Sequence, residues 1–136
     1  MRTFLLPIFF TLTVTLVPQW LGNVSAHEFR PGFLSLTETT PHTYSVLWKV
    51  PMRGMKRLSL EPLLPEDCRV TGPISKLEDG VASTRRWTVQ CSEGLAGREI
   101  AISGLSSTFT DVLVRIVELN GSSHSVRLTP STPRTR

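Results

Sequence analysis

The clearest pattern along the chain is a period of two. Tyr44, Val46, Trp48 and Val50 alternate with Ser45, Leu47 and Lys49. Successive side chains of an extended backbone point to opposite faces, so this alternation predicts a half-buried strand. The same pattern recurs at Leu34 and Leu36, at Leu58 and Leu60, at Trp87, Val89 and Cys91, at Ile100 and Ile102, and at Val112, Val114 and Ile116. A short further strand is expected around Cys68 and Val70, and a last one over 123–128. Asn120-Gly121, a strong two-residue hairpin signal, should pair the run 112–119 with that final strand.

Turn residues separate these runs: Pro41, Pro51 with Gly54, Pro62 and Pro65, Gly72-Pro73, Asp79-Gly80, Gly94 with Gly97, and Gly104. No segment carries a helical stripe. Seven to eight short strands at this turn density predict an all-β, two-sheet sandwich of immunoglobulin-like architecture. A true immunoglobulin domain places a tryptophan between its two bridged cysteines. Here Trp48 precedes Cys68, and Trp87 lies just ahead of Cys91, which departs from that arrangement.

One stretch breaks the period of two. Residues 4–17 are apolar, follow Arg2, and lead to small residues at Val24 and Ala26. This order reads as a cleavable signal peptide over residues 1–26, exporting the remainder across the inner membrane to the periplasm. The apolar run contains Thr11, Thr13 and Thr15 and stops at Pro18, short of the roughly 20 residues that a spanning helix needs, so cleavage is expected rather than anchoring. No transmembrane segment is expected in the mature chain. A single domain is expected over 27–130, because the apolar pattern stops near Thr129, and 131–136 read as a linker-like tail rich in Pro, Ser and Thr.

Charge changes this picture little. The chain holds 15 Lys and Arg against 11 Asp and Glu, and the leader removes only Arg2. The cations are spread along the sequence, which argues against nucleic acid, since a nucleic-acid module needs a dense basic stripe. The densest spot, Arg53, Lys56 and Arg57, reads as a solvated turn, with a phosphate or lipid contact as the alternative.

The two cysteines, Cys68 and Cys91, are expected to form a disulfide in an oxidising compartment. Closing a loop of that length stabilises a chain by about 3 kcal/mol. A metal or redox pair would want CxxC spacing, which is absent. Because Cys91 shares its face with Trp87 and Val89, the bridge is expected in the core.

Candidate chemistry centres on His27, which cleavage after Ala26 would make the mature amino terminus. An α-amine and an imidazole on one residue can chelate Cu²⁺ or Ni²⁺. His42 and His124 are the other histidines that could complete a metal site, with Glu28 as an oxygen donor. The plainer reading is an exposed histidine at a frayed end and two surface histidines in or beside turns. No GxSxG, phosphate-cradling glycine loop or HExxH occurs, so the chain is expected not to be an enzyme. Asp111 is expected to bond local backbone where a strand begins. The Asn120-Gly121-Ser122 sequon is explained by the hairpin turn.

Four segments occur in order: His27-Glu28-Phe29-Arg30-Pro31-Gly32, Val46-Leu47-Trp48-Lys49-Val50-Pro51, Gly94-Leu95-Ala96-Gly97, and Thr110-Asp111-Val112-Leu113-Val114-Arg115-Ile116. Together they resemble the extracytoplasmic amino-terminal region of HupE/UreJ-like membrane proteins. The resemblance implies a Gram-negative periplasmic setting, with His27 matching the start of the mature domain. Members of that family are regarded as nickel or cobalt uptake proteins connected with hydrogenase and urease. Their membrane helices, which carry the metal-associated histidine and aspartate motif, have no counterpart in this sequence. The function expected is a non-enzymatic accessory or docking domain for a HupE/UreJ-like membrane protein that handles Ni, Co or Cu. The alternatives are a structural interaction module without metal, and a small copper or nickel enzyme using its amino-terminal histidine.

Overall fold

The alternation at Tyr44, Val46, Trp48 and Val50 is realised as β2, Thr43–Arg53, with all four of these side chains buried. The computed structural model describes residues 30–135; the expected leader and His27 lie outside them. Around β2 the described residues form β1 (Gly32–Thr40), β3 (Lys56–Arg57), β4 (Glu61–Leu63), β5 (Cys68–Glu78), β6 (Ala82–Cys91), β7 (Ile100–Ser103), β8 (Val112–Val117), β9 (Ser123–Leu128) and β10 (Arg134–Thr135). A single 3₁₀ turn spans Leu105–Ser107. The fold is therefore all-β, in two sheets. The larger runs β5-β6-β2-β1-β8-β9, with β3 added to β2, and the smaller runs β10-β7-β4. Every pairing is antiparallel except β1 with β8, which brings Gly32 beside Val112 and Leu36 beside Ile116.

Both sheets contribute to one core. Leu34, Leu36, Val46, Trp48, Val50, Val112, Val114 and Leu128 come from the larger sheet, and Ile100 and Ile102 from the smaller, with Leu60 and Leu95 entering from loops and Leu105 from the 3₁₀ turn. Trp48 sits at the centre, fully buried and registered between Leu34 on β1 and Arg85 on β6. Arg85 also bonds the carboxylate of Glu61, linking β6 of the larger sheet to β4 of the smaller.

Several expectations are corrected. Leu58 and Leu60 do not lie on a strand: the chain crosses irregularly between β3 and β4, and Leu60 drops into the core from that crossing. Gly72-Pro73 does not end a strand either. β5 runs through it, with its register against β6 shifting between Thr71 and Ser75. Proline has no N–H to give to a ladder, and an edge strand at a bulge is where a sheet tolerates it. The segment after Thr129 turns back instead of trailing as a linker. Thr129 and Thr132 form a bridge, Ile102 N donates to Pro133 O at 2.9 Å, and β10 pairs with β7. Backbone bonding rather than apolar patterning holds it, and for that reason its composition gave no sign of a strand.

The final hairpin pairs as expected, Val112 opposite Leu128 through Val117 opposite Ser123, although a loop over 118–122 joins the strands rather than a two-residue turn. Asn120 Oδ1 accepts from Ser122 N at 2.8 Å within that loop. Asp111 is also corrected: its carboxylate takes the Arg127 guanidinium on β9, with Nε at 2.7 Å, instead of local backbone. Cys68 and Cys91 form the expected disulfide. They are register partners on β5 and β6, so the bridge lies within one sheet, with Cys91 buried and Cys68 packed on the rim of the core.

Candidate functional site

The inward rows of the larger sheet do not stay apolar to their ends. On β1 the row Leu34, Leu36 is followed by Glu38, and on β9 the row Leu128, Val126 by His124. On β8 the row Val112, Val114, Ile116 leads, one step past the strand, to Glu118. Register aligns these ends, since Glu38 stands opposite Tyr44 and Ile116 opposite His124. The result is a cleft of about 580 Å³ with an apolar floor that includes Tyr44, Leu95, Ile100, Val114, Ile116 and Val126. Its polar rim is Glu38, His42, Glu93, Arg98, Glu118 and His124.

Glu38 ties together the two loops at this end. Its Oε1 accepts from His42 N at 2.8 Å and its Oε2 from Leu119 N at 3.0 Å. His42 occupies the β1–β2 turn with φ of 60°, a left-handed conformation uncommon outside glycine. Its carbonyl accepts from Cys91 N at 2.9 Å, and its Nδ1 lies 3.0 Å from Ser92 O. The ring rests against Gly94, where an added Cβ would come within 3.2 Å of Cδ2. His124 is three-quarters exposed, its Nε2 3.8 Å from Glu118 Oε1.

The opposite wall is the 92–99 loop, held by Asp67. That carboxylate accepts from Arg98 Nη2 at 2.5 Å, from Glu93 N at 2.9 Å and from Ser92 Oγ at 3.1 Å. The Arg98 hydrogen bond first, and the Glu93 amide second, hold the Asp67 carboxyl well below the usual carboxylate range. Across the floor, the Tyr44 hydroxyl accepts from Leu95 N at 3.2 Å. Burial raises the Tyr44 pKa, and the nearby Glu38 charge raises it further, so the phenol stays neutral well past neutral pH.

Of the residues singled out by sequence, His42 and His124 thus reach the same cleft, while His27 lies outside the described residues. Among the described residues, no three His, Cys, Asp or Glu side chains gather closely enough to hold a metal ion. The His42 imidazole is engaged with a backbone carbonyl, and the His124 imidazole lies beside Glu118. What the arrangement can do is bind: an apolar floor takes a side chain, and the charged rim orients it. Glu38, Glu93, Arg98 and Glu118 were not anticipated. For Glu38 and Glu118 a signal existed, because each stands two residues beyond the last apolar member of an alternating run.

Among the described residues no helix is long and apolar enough to cross a membrane. No family model matches the chain, and no curated protein is found to match it.

Proposed function

We propose that this chain is a non-enzymatic exported domain of immunoglobulin-like architecture that docks, through the cleft between Glu38 and His124, on the extracytoplasmic part of a HupE/UreJ-like membrane protein. One observation carries this reading. Two of the segments on which the family resemblance rests both reach this cleft, Gly94-Leu95-Ala96-Gly97 as its wall and Thr110 to Ile116 through Val114 and Ile116 in its floor. Leu95 and Val114 also belong to the core, while Gly94, Ala96, Gly97 and Ile116 carry the same segments onto the open cleft. The immunoglobulin-like reading is supported by two sheets facing across a core centred on Trp48; a disulfide within one sheet sets it apart from antibody domains. Metal handling rests on His27 rather than on the described residues.

Photo-crosslinking in the periplasm tests the docking. A photoreactive residue in place of the exposed Ala96, beside the cleft, is expected to form an adduct with an integral membrane protein, and one in place of the exposed Arg86, on β6, is not. No adduct from position 96, or the same adduct from both, rules the cleft out. Calorimetric titration of Ni²⁺, Co²⁺ and Cu²⁺ tests the metal part: binding that acetylation of the His27 α-amine abolishes supports it, and no binding in either form removes it. A second reading, a module joined through a sheet edge, is favoured by β5, where Val70, Ile74 and Leu77 are 54%, 56% and 68% exposed. An adduct from β5 alone would replace the cleft by that edge.

A further inference from the structure

At the end of β1 and β2 opposite the cleft, two loop tips project apolar side chains into solvent. Met55, in the turn between β2 and β3, is 98% exposed, and Phe109, in the loop between the 3₁₀ turn and β8, is 92% exposed. Side chains of this size kept so bare give up the transfer free energy that burial would supply. Phe109 and the residues flanking Met55 line one shallow depression of about 840 Å³, and with them stand Arg30, Arg53, Lys56 and Arg57. Among the described residues no Asp or Glu lines it. Arg57 is shared with Glu61, at 3.7 Å, and its charge adds to the Lys76 and Ser83 hydrogen bonds that chiefly lower the Glu78 carboxyl. Among the described residues, the ion pairs leave Arg30, Arg53 and Lys56 without a carboxylate partner.

The geometry points to an anionic lipid bilayer as the occupant of this end, with Phe109 and Met55 entering the boundary between headgroups and acyl chains and Arg30, Arg53 and Lys56 contacting lipid phosphates. Two features favour a bilayer over an acidic protein. The apolar residues are convex tips on separate loops, whereas protein hot spots are packed into complementary pockets and ringed by contacts that exclude water. A fluid interface accepts isolated tips without such a pocket. Among the described residues Arg30, Arg53 and Lys56 have no carboxylate partner and stand beside the tips, the arrangement in which attraction to an anionic surface and burial of apolar side chains act together. A chain bound by this end keeps the Glu38–His124 cleft on the aqueous side, about 20 Å away along β1 from Gly32 to Glu38. This inference stands apart from the identity of any protein partner, and its test contains none.

Both sheets, their shared core and the disulfide lie within residues 30–135, so a chain of residues 27–136 carries the whole folding unit. That chain is expected to co-sediment with vesicles containing phosphatidylglycerol, to bind phosphatidylcholine vesicles far more weakly, and to be released progressively by salt. Each surface cation removed should weaken binding about fivefold, so Arg53→Gln with Lys56→Gln lowers affinity about 25-fold. Phe109→Ser should lower it about tenfold at physiological salt, where the apolar contribution dominates. All these side chains are exposed, so thermal unfolding should be unchanged. Equal binding to both vesicle types by the unsubstituted chain overturns the inference without recourse to any variant. So does binding to anionic vesicles that is indifferent to Phe109→Ser. Binding to soluble polyglutamate as tight as to anionic vesicles would replace the bilayer by an acidic protein partner.

Discussion

Asp67 and Gly104 show how much single positions carry. The Asp67 carboxylate organises the 92–99 loop, and its pKa is depressed, chiefly by Arg98. In the unfolded chain an aspartate takes up its proton near pH 3.9, and in the folded protein Asp67 does so only at lower pH. Its contribution to stability is therefore full above about pH 4 and is lost as pH falls toward the folded value. Asp67→Asn is expected to lower the melting temperature at neutral pH, with the gap from the unsubstituted protein closing in acid; melts across a pH series check this, and a pH-independent gap contradicts it. Gly104 and Gly121 have nearly the same φ, 84° and 87°, but different surroundings. A Cβ at Gly121 meets open space, whereas one at Gly104 collides with the Ser59 carbonyl oxygen. Gly121→Ala should cost about 1 kcal/mol for the left-handed backbone alone. Gly104→Ala should cost about 2 kcal/mol more, since the crossing that seats Leu60 must move. Urea titration of both variants compares them. Both glycines were legible as turns; only the fold shows that one of them admits the close passage of the irregular segment at Ser59.

Elements were legible in proportion to how they are buried. β2 and β8 have one face in the core, and alternation records that fact directly, whereas β9 was legible through the Asn120-Gly121 signal before it. β5 is almost wholly exposed along its length, so nothing selected a strict apolar alternation there, and Gly72-Pro73 concealed its continuity. β10 is two residues long and is held through its backbone, which no side-chain pattern can announce. Its contribution can be measured by ending the chain after Pro130. That truncation removes Pro133 O as the acceptor for the amide of Ile102, a residue only 2% exposed. Leaving a buried amide unpaired should destabilise the protein by about 1–3 kcal/mol, as read by denaturant unfolding. An unchanged midpoint would show that these residues behave as a linker after all.

At the scale of the molecule, one core joins both sheets, so unfolding should be a single transition, with tryptophan fluorescence and far-ultraviolet circular dichroism superimposing. Reducing the Cys68–Cys91 bridge should shift that transition as one, by about 3 kcal/mol, because the bridge chiefly restricts the unfolded chain. Two separate transitions would contradict the shared core. The sequence by itself determined the all-β class, most strands, the final hairpin and the cysteine pairing, because each follows from local periodicity, turn chemistry or a choice with one outcome. Only the tertiary structure decided that β1 and β8 pair in parallel, that the disulfide stays within a sheet, and that Glu38, His42, Glu118 and His124 rim one cleft while Phe109 joins Arg30, Arg53 and Lys56 at the other end. Those juxtapositions unite residues up to 86 positions apart, such as Glu38 and His124. Local patterning fixes which face a side chain takes, but not which distant strand will lie beside it; the packing of all faces around one core makes that choice.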